Sequence, residues 1–190
     1  ITVFNNRNVD EIVILDIDAS KKKFGVNIEI LKILSKNNIM PLSYGGGISS
    51  INDIELCLKH GCDKVVINSK SLNDINFIKE ASNVFGSQCI VCSVDYKFNG
   101  TDFDIYSHSK IDTSKINLRN FIIELVSNGA GELILTSVDH EGMMNGYDKN
   151  FNKILTNFLK VPIILNGGCG KPDHILNAFQ NNYIDAVCAS

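Results

Sequence analysis

Pro41-Leu-Ser-Tyr-Gly-Gly-Gly47 and Pro162-Ile-Ile-Leu-Asn-Gly-Gly168 are one short phrase written twice. Each is a proline, a few mostly apolar residues, and a glycine run. Such a phrase suits a strand buried on both faces that ends where glycines let the chain turn. The offset between the copies is 121, Pro41 onto Pro162. The same offset carries Gly46-Gly47 onto Gly167-Gly168, Asp18 onto Asp139 and Ser69 onto Ser190. Landmarks sharing one ungapped spacing make a repeat, and a repeat of this length implies two equivalent halves of four units each.

Outward from these phrases the pattern continues. Short apolar runs rich in Val, Ile and Leu occupy residues 11–18, 40–46, 64–69, 89–97, 132–139, 162–168 and 186–190. They are too short for helices and suit parallel strands. Between them lie stripes with helical period: Ile28, Leu31, Leu34 and Ile39; Ile51, Ile54 and Leu58; Phe121, Ile122, Leu125 and Val126. Residues 1–8 read as the tail of a helix. Strict βα alternation demands a parallel sheet with right-handed crossovers. The expectation is a single α/β domain over residues 1–190, a (β/α)8 TIM barrel lacking its first strand and last helix. A doubly wound open sheet is the alternative. Residues 98–117 break the rhythm with a long polar insertion after the fourth strand. Thr101 to Ser107 alternates enough for a hairpin, which could be a substrate lid at the catalytic face or mere decoration.

Composition excludes several classes. A net charge of −3 offers no attraction to nucleic acid or an anionic membrane. No run of about 18 apolar residues suggests a membrane span. Six cysteines include Cys89 and Cys92 at C-x-x-C spacing. That segment reads as a buried strand whose residues three apart face opposite ways, with no zinc-like cluster nearby, so the cysteines read as structural. No metal or cofactor is expected, and the reducing cytoplasm is the expected compartment.

The repeated features fall at strand ends, where glycine loops let backbone N–H groups approach an anion. The strands that follow end in Asn68-Ser69 and Ala189-Ser190, each poised before a helix N-terminus, which favours phosphate. Gly46, Gly47, Asn68 and Ser69 thus form one candidate phosphate cup. Gly167, Gly168, Ala189 and Ser190 form the other. Two cups across one barrel mouth suit an elongated small molecule with a phosphate at each end. Acids also gather at strand ends: Asp16, Asp18, Asp95, Asp139 and Glu141, with Thr136 and Ser137 alongside. Asp95 is the best candidate for proton transfer, because it closes an otherwise apolar strand and burial would raise its pKa. His140 reads as a surface loop histidine, and His60, His108 and His174 show no recognisable spacing.

At these residues a resemblance becomes specific. Leu15-Asp-Ile-Asp-Ala-Ser20, Tyr44-Gly-Gly-Gly-Ile48, Asp63-Lys-Val-Val-Ile-Asn-Ser69, Phe85-Gly-Ser-Gln88, Val94-Asp95, Gly129-Ala-Gly-Glu-Leu-Ile-Leu-Thr-Ser137, Asp139 with Glu141-Gly142, Gly146-Tyr-Asp148 and Asn166-Gly-Gly-Cys-Gly170 follow one another in family order. Together they resemble the cyclase subunit of imidazole glycerol phosphate synthase, from histidine biosynthesis. The resemblance implies ammonia-dependent cyclisation of a bisphosphorylated ribulosyl intermediate. The products would be imidazole glycerol phosphate and an aminoimidazole carboxamide ribotide, with a glutaminase partner supplying ammonia through the barrel. It implies that Asp95 is one of two catalytic aspartates. The 121 offset and family spacing put the other about 25 to 27 residues before Ile1. It implies too that Glu11, Lys64 and Glu132, at strand starts, ring the ammonia entrance.

Four residues depart from the family pattern. Asp18 stands where the family generally has Thr, Tyr44 where it has Val, His140 where Arg is common, and Asn166 where Ser is common. Asp18 and Tyr44 resemble a paralogous branch associated with amidination of surface-polysaccharide sugars, which also uses glutaminase-derived ammonia and can lack the first-strand aspartate. Three functions therefore stand open: the histidine-pathway cyclase, the paralogous ammonia-using enzyme, and a non-catalytic barrel that serves as a scaffold for the glutaminase.

Overall fold

Val, Ile and Leu in short runs do build parallel strands here, and the amphipathic segments between them build helices on one side. The computed structural model describes residues 2–7, 9–19, 24–109, 111–154, 159–180 and 183–189. In chain order the elements are α1 (Thr2–Asn6), β1 (Ile12–Leu15), α2 (Ile28–Asn37), β2 (Leu42–Gly45), α3 (Ile51–Lys59), β3 (Lys64–Ile67), α4 (Ser69–Asn73), α5 (Asn76–Phe85), β4 (Ile90–Phe98), β5 (Phe103–Ile105), α6 (Leu118–Ser127), β6 (Glu132–Ser137), β7 (Ile163–Asn166), α7 (Pro172–Phe179) and β8 (Ala186–Val187). The sheet order is β1-β2-β3-β4-β6-β7-β8, every neighbouring pair parallel. The off-path strand β5 pairs antiparallel with the end of β4, Tyr96 opposite Ile105 and Phe98 opposite Phe103. The hairpin expected within Thr101–Ser107 is instead formed by β5 folding back on the end of β4, so only one of its two strands lies in that stretch. The fold is a curled, partial (β/α)8 barrel.

The curl is visible in side-chain reach. Lys64, at the start of β3, lies 2.7 Å from Glu11 before β1 and 2.7 Å from Glu132 on β6. Each partner is two strands away, about 9.6 Å in a flat sheet, so one lysine bridges both from a concave interior.

Two apolar layers flank the strands. The outer one joins strands to helices through fully buried Leu31, Leu42, Ile54, Ile78, Ile90 and Leu135, among others. The inner one is a separate small cluster of Val66, Val91 and Ile134, with Val13 and Ile164 packed against it. Alternation along a strand then sorts the interior into tiers. Glu11, Lys64 and Glu132 share the inner face two residues below the apolar tier, and Asn68, Ser93 and Thr136 share it two residues above.

Helix ends follow their capping residues. The Asn27 side chain accepts from Ile30 N (3.1 Å) at α2, and Asn117 accepts from Asn120 N (3.1 Å) at α6. Ser50 and Asp53 form a capping box at α3. Ile39 does not join the α2 stripe: the helix ends at Asn37, Asn38 is extended, and Ile39 is 81% exposed. Cys89 sits in a 3-10 turn (Ser87–Cys89) just before β4, while Cys92 is fully buried within it. The thiols that meet are Cys57 and Cys62, which share a hydrogen bond. No group of three or more potential ligands for a metal ion gathers among the described residues. No helix among them is long and apolar enough to cross a membrane.

Candidate active site

The 121-residue offset survives as geometry. Shifting β2 (Leu42–Gly45) by it gives the bounds of β7 (Ile163–Asn166). A Cβ added at Gly46 would lie 2.3 Å from the carbonyl oxygen of Asp16. At the offset position, a Cβ at Gly167 would lie 2.7 Å from that of Ser137. A Cβ at Gly47 would meet Gly25 O at 2.5 Å, and one at Gly168 would meet Gly146 O at 2.1 Å. Gly47 and Gly168 also hold positive φ, +72° and +101°. Both loops therefore require glycine for close backbone approach, at equivalent places and on the same rim as the other strand C-terminal ends.

Asn68 and Ser69 follow β3 on that rim, Ser69 opening α4. Ala189 follows β8. Ser190 lies outside the described residues, as does Ser20 of the Leu15 motif. Thus both glycine pairs and both residues after the neighbouring strands end on one face of the sheet.

Asp95 lies between them on β4, only 8% exposed. It pairs in register with Thr136 of β6. Asn68 Nδ2 donates to its Oδ2 at 2.9 Å, and the Thr136 hydroxyl also hydrogen-bonds the carboxylate. Thr136 Oγ1 in turn accepts from Asn166 Nδ2 at 3.3 Å. The network Asn68–Asp95–Thr136–Asn166 spans β3, β4, β6 and β7. His108 Nε2, from the loop after β5, stands 3.5 Å from Asp95 Oδ2. Burial pushes the Asp95 carboxyl above the usual carboxylate range. The Asn68 hydrogen bond, the His108 charge and the Thr136 hydrogen bond pull against it. A buried carboxyl shifted in this direction holds a proton more readily than an ordinary aspartate and is suited to proton transfer.

The remaining acids are arranged differently. Asp16 Oδ1 accepts from Asp18 N (3.1 Å) and Ala19 N (3.0 Å), so it shapes the turn after β1. It lines a cavity of about 540 Å³ with Asp18, Phe24 and Asn27. Asp139 Oδ2 accepts from Phe98 N at 3.0 Å and so clamps the hairpin. Glu141 is exposed beside Gly167, whose added Cβ would lie 3.4 Å from its Oε2. Ser137 adjoins Thr136 in β6 and so faces the opposite way. Its hydroxyl is hydrogen-bonded to His140 Nδ1 at 2.8 Å, on the helix side of the sheet, apart from Asp95. His140 is therefore half-buried and engaged rather than a free surface residue.

At the other end of the barrel interior, Glu11, Lys64 and Glu132 form one ion cluster, and the Ser43 hydroxyl donates to Glu11. Burial works against the Lys64 ammonium. The hydrogen bonds and charges of Glu11 and Glu132 outweigh it, and its pKa is raised.

Sequence reasoning missed His108 as a neighbour of Asp95 and Asn166 as a partner of Thr136 beside it. Strand parity could have found Asn166, two residues beyond inward-facing Ile164. Nothing in the spacing of His108 signals its contact.

Parallel βα units with site residues confined to the strand C-terminal rim define a protein of the (β/α)8-barrel class. The chain belongs to the histidine biosynthesis protein family, whose model matches residues 1–190. It is 49% identical over 179 residues to a Campylobacter jejuni protein provisionally named imidazole glycerol phosphate synthase subunit hisF2, covering 94% of this chain and 71% of that one. It is 36% identical to the imidazole glycerol phosphate synthase subunit HisF of Dehalococcoides mccartyi, covering 98% and 74%. To that of Methanocaldococcus jannaschii it is 35% identical, covering 97% and 75%.

Proposed function

We propose that this chain forms the ammonia-using barrel of an imidazole glycerol phosphate synthase-type enzyme, a lyase/cyclase that works with a glutaminase subunit. The observation that carries the reading is the tiered interior. A charged cluster at one mouth leads to an apolar tier and then to the Asp95 network at the other. Ammonia delivered by the partner would enter past Glu11, Lys64 and Glu132. The apolar tier of Val13, Val66, Val91, Ile134 and Ile164 favours neutral ammonia over a charged or strongly hydrated species.

At the rim, Gly46, Gly47, Asn68 and Ser69 would hold one phosphate of a bisphosphorylated substrate. Gly167, Gly168, Ala189 and Ser190 would hold the other, the positive-φ glycines letting the backbone approach an anion closely. Asp95 lies between the cups and acts as general acid or base on the reacting centre, with Thr136 fixing its orientation. Asp16 and Asp139 hold the loops that would border the substrate, Glu141 stands exposed beside Gly167, and Ser137 anchors the loop carrying Glu141. In this reading the substrate is the ribulosyl-formimino aminoimidazole carboxamide ribotide of histidine biosynthesis. The decisive experiment supplies the full-length protein with that compound and free ammonium salt. Release of imidazole glycerol phosphate is expected; no product with ammonium in excess overturns the assignment.

A second reading has its own support. The 49% identity is to the relative bearing the hisF2 name, and Asp18 and Tyr44 depart from the usual cyclase residues. In that reading the same barrel passes ammonia to amidination of a surface-polysaccharide sugar. Growth of a histidine-requiring strain separates the two: rescue by the full-length gene favours the cyclase, and failure of a well-expressed gene favours the paralogue.

A further inference from the structure

The polar loop after β5 does more than cover the rim. Tyr106 N donates to the backbone oxygen of Asp95 at 2.8 Å, which fixes the return strand against β4. The Tyr106 ring then packs edge-on against His108, centroids 4.8 Å apart, with Lys97 Nζ 4.4 Å from the Tyr106 centroid on its face. One residue further, Ser109 Oγ is 2.7 Å from Ser69 Oγ. The loop is thus tied on both sides of His108, and the imidazole is held where Nε2 is 3.5 Å from Asp95 Oδ2. That separation is an ion-pair distance rather than a tight hydrogen bond. Asp95 is faced by Asn68 from β3, Thr136 from β6 and His108 from this loop. Of these three, only His108 can carry charge.

We propose that His108 is a positioning residue for Asp95, its ring holding that buried carboxyl in place at the rim. The inference rests on the reading of Asp95 as the group that moves a proton, and it adds a partner to that group from outside the barrel strands. Imidazolium beside Asp95 favours the carboxylate, so Asp95 stays ionised to lower pH than burial alone would allow. Tyr106 and Lys97 support the ring from behind, and Ser109 links its placement to Ser69, at one of the proposed phosphate cups. A phosphate that takes the Ser69 hydroxyl would compete with Ser109 for it, so substrate and His108 placement are coupled.

The test follows the Asp95 carboxyl carbon by NMR through a pH titration of the full-length protein, for wild type, His108→Gln and His108→Lys. The His108 side chain is 57% exposed, so either replacement removes little packing beyond its edge contact with Tyr106. In His108→Gln the Asp95 midpoint should move to higher pH. In His108→Lys the restored cation should bring it back to the wild-type value or below. A midpoint unmoved in the Gln variant, or a Lys variant that tracks the Gln variant, overturns the proposal.

In turnover with free ammonium, His108→Gln should lower kcat about tenfold, as for groups sharing one network, with KM changed less than about twofold. The pH limb that belongs to Asp95 should move in the direction seen by NMR. An unchanged kcat overturns the positioning role. If wild type turns nothing over but the NMR midpoints still shift, the substrate assignment fails and the role of His108 at Asp95 stands.

Discussion

Around Gly47 one half of the molecule folds its backbone against Gly25, and around Gly168 the other half folds its backbone against Gly146. The two contacts are related by 121 residues and so nearly alike that an added methyl would collide with the same atom type in each. The side chains beside these loops have little in common. Asp16 turns the chain in the first half where Ser137 does in the second. Tyr44 is buried and takes a hydrogen bond from Asn27 N where Leu165 is purely apolar. Asn68 reaches into the network of Asp95 where the second half has Ala189. The comparison teaches that the backbone can form the two loops by itself, through positive φ and close approach. Side chains are then free to specialise, and the first half has specialised toward contact with the buried Asp95.

The sharpest way to break this picture is at that carboxyl. Asp95→Asn should reduce turnover by about 10²- to 10⁴-fold, the usual contribution of a positioned acid or base, as read from steady-state rates. The same variant should be more stable to heat at pH 7. A carboxyl whose pKa is raised on folding costs stability above that pKa, and the cost fades as pH falls toward the unfolded value. The gain in Tm should therefore shrink in acid. A variant that is inactive and also less stable at pH 7 would mean that Asp95 is mainly structural.

Next come the glycines. Gly47→Ala and Gly168→Ala should each cost about 1–3 kcal/mol, because each combines positive φ with a backbone collision. Urea denaturation measures both. If one variant is neutral while the other is severe, the equivalence of the halves fails.

Lys64 has no cationic counterpart in the second half. The offset lands on Asp185, whose carboxylate instead accepts from Ile163 N at 2.9 Å. Lys64→Met would leave Glu11 and Glu132 facing each other. It should cost about 1–3 kcal/mol, between the values for exposed and fully buried pairs. The Lys64 pKa is raised on folding, so this stabilisation is complete below the unfolded value of 10.5. It disappears as pH rises through the folded value. Denaturation of wild type and variant should therefore converge in strong alkali. The smallest effect is expected at Tyr44→Phe, about 1 kcal/mol for one lost hydrogen bond to Asn27, also by denaturation. A larger loss would show that the first half depends on Tyr44 to hold its rim loop.

Much of this was legible because it depends on local pattern. Prolines, apolar runs and glycine pairs at one offset mark β2 and β7, and alternating residues after Thr101 mark β5, the return strand of the hairpin. Strand starts at Glu11, Lys64 and Glu132 are visible as charges preceding apolar runs, and family resemblance grouped them. What was hidden depends on parity and reach. Thr136 and Ser137 are neighbours in sequence, yet a strand can turn only one of them inward, and the outward one, Ser137, finds His140. Ile39 continues the period of α2 on paper, but the consecutive asparagines at 37 and 38 end the helix first. His108 meets Asp95 only because a hairpin doubles back along β4, a contact that no fixed spacing encodes.

The apolar tier beneath Asp95 also acts as an insulating floor. Val13, Val66, Val91, Ile134 and Ile164 carry no group able to relay hydrogen ions. These side chains separate the Asp95 network at the rim from the ion cluster of Glu11, Lys64 and Glu132 at the other mouth. On the proposed function, that separation keeps acid–base chemistry at one door and leaves the opposite one to neutral cargo.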